Sequence, residues 1–328
     1  MKAAINYRNY LEKIDKAITN ETHQCLYLGC HEQAIGSHSV QRKGPLSKIE
    51  VKDHVYCLDS SLSRSYELKS LTSNIKFRKT PISKATTFPG FCDFHDKLFH
   101  EFELGGLDVG NAKHLLYLYY RTLGYEFLRQ VMSSKRLSIL LGSQYLVHSI
   151  ESALGHAKLI SETTFKQALN QKVHYCENEL MPLLEITQEY IEKGKIDSLE
   201  HLTFVIEKNI NVACSSCTYI TEEHFSEFRE VFPNEEIPTV TFNVMPDDNE
   251  TIIVISWDSK YDIHSSWLRK EFKSNFEKLL NDFIFYRSED ICISPKLWEN
   301  NARMQDVVKE TGHILNRKHE KTLDLLKI

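Results

Sequence analysis

The chain of 328 residues contains no run approaching the ~18–20 consecutive apolar residues that a membrane-spanning helix requires. It also lacks the apolar core of a secretory signal. The N-terminal stretch MKAAINYRNYLEKIDKAI is charged and amphipathic instead. These absences predict a cytoplasmic protein without a membrane partner. Its eight cysteines are then expected to be reduced and not a disulfide framework. Internal repeats and low-complexity tracts are missing, so repeat architectures do not apply. The C-terminal half shows no P-loop, no G-x-G-x-x-G, no G-x-S-x-G and no H-E-x-x-H. What remains is an ordinary composition, 41% hydrophobic and 26% charged, in a chain long enough for two domains.

What is present concentrates between Cys25 and Glu103. The stretch opens CLYLGC, with Cys25 and Cys30 on a tight turn. It closes TTFPGFCDFHDKLFHEFE, with Cys92 and His95 where a loop enters a helical pattern. Thiolate and imidazole are the ligands zinc prefers, and two chelating pairs make a closed tetrahedral site. A gap of two to four residues lets each pair chelate from one side of a turn. The sequence therefore predicts a structural Zn²⁺ held by Cys25, Cys30, Cys92 and His95. The competing reading is two unrelated Cys pairs in a reduced protein.

Net charge is −5, but its distribution is uneven. Residues 1–100 carry 15 Lys and Arg against 10 Asp and Glu, while the remainder is acidic. The excess is sharpest between residues 39 and 84, where Arg42, Lys43 and Lys48 stand close together. Such a segment can neutralise phosphates, which predicts a nucleic-acid partner. A solvated basic loop is the plain alternative.

The arrangement resembles the HNH nucleases, treble-clef proteins with a ββα-metal fold. In that family a Cys pair forms a knuckle, a β-hairpin carries the catalytic histidine, and a second ligand pair opens a helix. Cys25 and Cys30 match the knuckle, and Ser37-His38-Ser39-Val40 matches the histidine segment. Cys92 and His95 match the helix pair, with Asp96 directly after it. The resemblance covers the first third of the chain. It departs from the family at Ser37, where an acidic or imidazole ligand is usual, and in its Cys-His second pair. It implies that His38 is catalytic and that Asp96 helps hold a catalytic Mg²⁺ or Mn²⁺. His100, one turn after Asp96, is the further candidate ligand for that ion.

The fold class expected is α+β. Residues 1–106 are expected to form a zinc-bound treble-clef-like unit with a basic insertion. Residues 107–328 are expected to be helix-rich, with a small C-terminal β-sheet. Apolar spacing predicts a helix over 3–19, a strand through His38, and short strands or an insertion from Val55 to Ile82. Residues 111–208 read as mostly helical, with one long helix from Thr164 to Lys193 and a kink at Pro182. INVACSS, TVTFNVMP, TIIVISWD and ICISP read as strands. The helices predicted after them run from Trp267 to Phe285 and from Pro295 to Lys318. Cys57, Cys214 and Cys217 read as small buried residues.

Two functions from different classes follow. One is a metal-dependent nuclease acting on DNA or RNA, of the kind used in bacterial antiviral defence or as a toxin effector. The other is a non-catalytic zinc-stabilised module that binds nucleic acid or protein. The C-terminal domain is expected to serve a protein partner or homo-oligomerisation.

Overall fold

The computed structural model describes residues 2–58, 77–143, 162–219, 230, 238–288 and 290–311. In chain order, α1 (Lys2–Thr19) precedes β1 (Gly36–His38), β2 (His54–Leu58), β3 (Phe77–Pro81) and β4 (Thr87–Pro89). Helix α2 (Asp93–Asp96) runs through a 3-10 turn, Lys97–Phe99, into α3 (His100–Gly105). Then come α4 (Ala112–Leu141), α5 (Glu162–Tyr175) and α6 (Met181–Glu192). After them stand β5 (Leu199–Ile206), β6 (Val212–Tyr219), β7 (Thr239–Pro246) and β8 (Thr251–Asp258). The described chain ends with α7 (Asp262–Ser274), α8 (Phe276–Asp282), β9 (Ile291–Ile293), α9 (Pro295–Glu299) and α10 (Ala302–Thr311).

The mixed helix and sheet content agrees with an α+β class. The sheet is not small, however. Seven antiparallel strands pair in the order β3-β2-β9-β6-β7-β8-β5. Two of them, β2 and β3, come from before residue 106, so the strands do not respect the expected boundary at that position. β5 also overturns a helical expectation for residues 199–206. From Leu202 to Ile206 its side chains alternate between covered and exposed along an edge strand, a period of two that the apolar count alone conceals.

Helices cover both faces of the sheet. From β7 and β8, Val240, Phe242, Val244, Ile253, Ile255 and Trp257 pack with Leu268, Phe272 and Leu280 of α7 and α8. Met245 and Val254 point the other way, into a second core built on α4 and α6. Strands buried on both faces read as continuous apolar runs, which is why TVTFNVMP and TIIVISWD are legible. A polar seam crosses the second face: the Thr122 hydroxyl of α4 donates to Asn243 Oδ1 at 3.1 Å and lies 3.1 Å from Ser215 Oγ. Such a buried seam fixes where α4 sits on the sheet.

Other expectations resolve locally. Thr164–Lys193 is not one uniform helix: a π-helical segment, Cys176–Leu180, joins α5 to α6, and Pro182 sits in the first turn of α6. Cys214 and Cys217 are both buried on β6 but belong to opposite faces and different cores, so they form no chelating pair. Cys57 is not isolated, since its Sγ lies 3.0 Å from Cys292 Sγ across β2 and β9. Residues 144–161 of the region expected to be mostly helical, and the end of the helix expected to Lys318, lie outside the described residues. No described helix is long and apolar enough to cross a membrane.

Candidate metal centre and the adjoining hairpin

The Cys25–Cys30 loop turns tightly because its backbone must. Gly29 has φ of +81°, a left-handed conformation that other residues adopt only with strain. The Cys30 amide donates to the Tyr27 carbonyl at 3.0 Å and closes the turn. Gln188 of α6 grips the loop from outside: its Oε1 accepts from the Leu28 amide at 2.7 Å, and its Nε2 donates to the Leu28 carbonyl at 3.2 Å. The loop is thus held from two sides before any metal is considered.

Phe91 positions the second ligand pair. It is fully buried, with ring centroids 5.0 Å from Phe99 and 5.6 Å from Tyr120. Gly124 of α4 permits this approach, because a Cβ there would meet the Phe91 ring at 3.0 Å. Cys92 then leads into α2, and His95 follows one turn later.

The sulfur and imidazole atoms of Cys25, Cys30, Cys92 and His95 converge, all within 4.8 Å of one another. Cys30 Sγ and Cys92 Sγ are 3.9 Å apart. His95 Nδ1 lies 3.3 Å from Cys92 Sγ and 3.5 Å from Cys25 Sγ. Two sulfurs each about 2.3 Å from a shared tetrahedral ion stand roughly 3.8 Å apart, so these spacings fit zinc. Burial also sets the protonation of these groups. Burial pushes the Cys25 thiol up, away from the thiolate a ligand must be. The Cys92 amide already points at Cys25 Sγ from 3.3 Å. At Cys92 burial acts in the same sense, but the His95 and Phe94 amides at the start of α2 outweigh it and hold that thiol below its ordinary value. Burial also lowers the basicity of His95, favouring the neutral imidazole that coordinates metal. This cluster can bind a metal ion such as zinc.

Directly beside it, β1 and β4 form a two-stranded antiparallel hairpin, with His38 opposite Thr87. The connection between them, residues 39–86, contains β2 and β3, so the basic segment is an excursion to the large sheet and back. Ser37 faces inward, almost fully buried, and its Oγ accepts from the Phe91 amide at 3.3 Å. Two-residue alternation therefore places His38 on the opposite face of the strand, where it is half-buried. His38 Nε2 is buried and has no hydrogen-bond partner. Burial lowers the pKa of His38. Glu103 and Asp96 act against that shift, and Arg121 and Arg42 act with it. The imidazole is consequently neutral near pH 7 and surrounded by two carboxylates and two guanidinium groups.

Sequence reasoning missed Glu103 and Arg121. Arg121 is buried in α4, its guanidinium 4.7 Å from the Phe102 ring centroid and paired with Glu103 at 2.7 Å. The signal was available: a lone cation amid HLLYLYYRTLGY must find a partner. Gln41 Nε2 also reaches the Glu103 carbonyl, at 2.5 Å, tying the segment after the hairpin strand to α3.

The remaining predicted residues are placed as follows. Asp96 is half-buried within electrostatic range of His38 and Arg121. His100 is exposed, within electrostatic range of Asp93. Among the described residues, three or more close metal-ligand side chains gather only at the Cys/His centre, so Asp96 and His100 do not belong to a second preassembled cluster. Arg42 and Lys43 are exposed. Lys48 is not free to meet phosphate, because Asp247 and Asp248 of the β7–β8 turn hold it at 3.0 and 2.5 Å. No protein-family model, no curated protein and no solved structure matches the chain.

Proposed function

We propose that the chain is a metal-dependent nuclease in which the Cys25, Cys30, Cys92 and His95 centre is a structural zinc site of HNH-like, treble-clef type. The observation that carries this reading is the unpartnered Nε2 of His38, on a hairpin beside Asp96 and next to the Cys/His cluster. A neutral imidazole whose nitrogen has no protein partner can take a proton from a water brought to it by bound substrate, as that water attacks a phosphodiester. Asp96 offers a carboxylate oxygen on the helix that opens at the metal centre. A divalent ion held by one such carboxylate and by substrate phosphate oxygens would supply charge neutralisation there. Arg42 and Lys43 lie exposed just past the hairpin strand and meet the nucleic-acid backbone. The Arg121–Glu103 pair ties α3 to α4 next to the hairpin.

One observation favours the non-catalytic alternative. Ser37 stands where the family places a metal ligand, and its hydroxyl is committed to the Phe91 amide. Incubating the zinc-loaded protein with Mg²⁺ or Mn²⁺ and single- and double-stranded DNA and RNA decides between the two. Cleavage of at least one substrate supports the nuclease. Salt-sensitive binding with no cleavage under any metal supports the binding module.

A further inference from the structure

A second feature lies beside the hairpin, outside the Cys/His centre. The chain leaves a cavity of about 240 Å³ between the β2–β3 edge of the sheet, the turn before β4, and α4. Arg78 on β3 and Lys84 in the following turn supply two cations, both on exposed residues. Thr86 and Thr87 add hydroxyls, Tyr125 adds an aromatic wall, and Asp290 adds a carboxyl group.

Three observations mark this as a built site. Asp290 is only 6% exposed, yet it lines the cavity. Its carboxyl accepts from Ser39 Oγ and Tyr125, which leaves acceptor capacity on a group with about four lone-pair positions. The Tyr125 ring is locked edge-on against Phe88, centroids 5.3 Å apart. Thr86 has φ of +57°, where a β-branched residue is strained, and two contacts hold it there. Its Oγ1 donates to the Val40 carbonyl at 3.1 Å, and its own carbonyl accepts from the Ser39 amide at 3.0 Å. Strain of this kind persists at ligand clamps. Arg78 and Lys84 also belong to the basic segment whose role the metal centre leaves unexplained.

We propose that this cavity binds a single phosphorylated nucleoside unit, its phosphate held by Arg78 and Lys84 and its ring against Tyr125. The charge pattern selects the class. Two cations beside threonine hydroxyls suit a phosphate monoester or a strand-terminal phosphate. Buried Asp290 suits a donor such as an exocyclic amine. The volume lies below the ~300–1,000 Å³ of ordinary small-molecule pockets, which excludes a duplex and limits the occupant to about one nucleotide. Thr87, the cross-strand neighbour of His38, forms part of the rim, so a strand end could also reach it.

The proposal stands on the cavity's own lining and not on a catalytic role for His38 or Asp96. Loss of the nuclease reading leaves it standing, and its failure leaves that reading standing. The test is calorimetric titration of the full-length, zinc-loaded chain with adenosine and uridine 5′-monophosphates, the matching nucleosides, and a 5′-phosphorylated pentanucleotide. Expected is 1:1 binding of a monophosphate, at least about tenfold tighter than its nucleoside. The double variant Arg78→Gln/Lys84→Gln should lose at least about tenfold in affinity with unchanged zinc content and melting temperature. Binding of the pentanucleotide alone, equally sensitive to the double variant, assigns the site to a strand end. Binding of the mononucleotide assigns it to a free nucleotide. No binding of either phosphorylated probe, or binding that the double variant leaves intact, overturns the proposal.

Discussion

The His95 imidazole lies flat on the Tyr27 ring, with centroids 3.9 Å apart and planes 5° from parallel. Tyr27 belongs to the Cys25–Cys30 loop and His95 to the helix that follows Cys92. The stack therefore joins the two halves of the metal centre without the metal. Glu192 of α6 accepts from the Tyr27 hydroxyl at 2.9 Å, which fixes the ring that fixes the ligand. Groups that orient a ligand change metal affinity by about 10–100-fold. Tyr27→Ala should accordingly release zinc to a chelator about tenfold faster than wild type, while Tyr27→Phe retains the stack and most of the retention. Chromogenic chelator competition measures this. Equal release from all three proteins would remove the positioning role.

The Arg121–Glu103 pair predicts an asymmetry. Arg121 is buried, so removing its partner leaves an uncompensated charge inside the protein, at a cost of about 3 kcal/mol. Glu103→Ala should lower denaturant stability by about that amount. Adding Arg121→Met should recover much of the loss, because an apolar side chain of similar length fills the space between Phe99 and Phe102 without the charge. Additive losses in the double variant would contradict this.

The basic residues should divide in their effects. Arg42→Ala/Lys43→Ala should weaken nucleic-acid binding and reduce the salt slope by about 1 for each phosphate that is no longer neutralised. Lys48→Ala should leave binding unchanged, since Lys48 is already neutralised by Asp247 and Asp248. Filter binding over a salt series checks both. Equal losses in the two proteins would show that the Lys48 ion pairs open on binding.

Asp290 predicts a pH dependence. Burial is the main cause that raises its pKa from 3.8 to about 7, against opposing hydrogen bonds from Ser39 and Tyr125. Below 3.8 the folded and unfolded chains both hold the proton. Between 3.8 and about 7 the folded chain keeps a proton that the unfolded chain releases, so this group's contribution to stability falls as pH rises and is level above that range. Each unit corresponds to about 1.4 kcal/mol, so the total is at most about 4 kcal/mol. Asp290→Asn should gain stability relative to wild type as pH rises from about 5 to about 8. Melting curves at fixed ionic strength that show a constant difference across this range would contradict it.

The Cys/His cluster was legible because chelating spacing leaves a local signature. Cys25 with Cys30, and Cys92 with His95, are each set by a single turn, and no long-range knowledge is needed to pair them. β7 and β8 were legible because burial on both faces makes an uninterrupted apolar run. Three features were hidden for the opposite reason. β2 and β3 join the sheet through pairing with β9, more than 200 residues away in sequence, which no local pattern encodes. β5 is an edge strand whose Thr203 and Val205 face solvent, so its apolar signal is diluted. Arg121 matters through Glu103 on another helix. The Ser37 departure was visible in sequence, but its reason, a hydroxyl committed to the Phe91 amide, belongs to the fold.

The central claim rests on His38, and one substitution tests it. A general base whose ring nitrogen has no hydrogen-bond partner does little folding work, whereas four side chains that hold a structural metal do. His38→Ala should lose about 10²–10⁴-fold in the rate of nucleic-acid cleavage. Zinc content and melting temperature should stay at wild-type values, measured on the same preparation. Full cleavage by His38→Ala, or a fall in melting temperature with no cleavage by wild type under any divalent metal, would contradict the account.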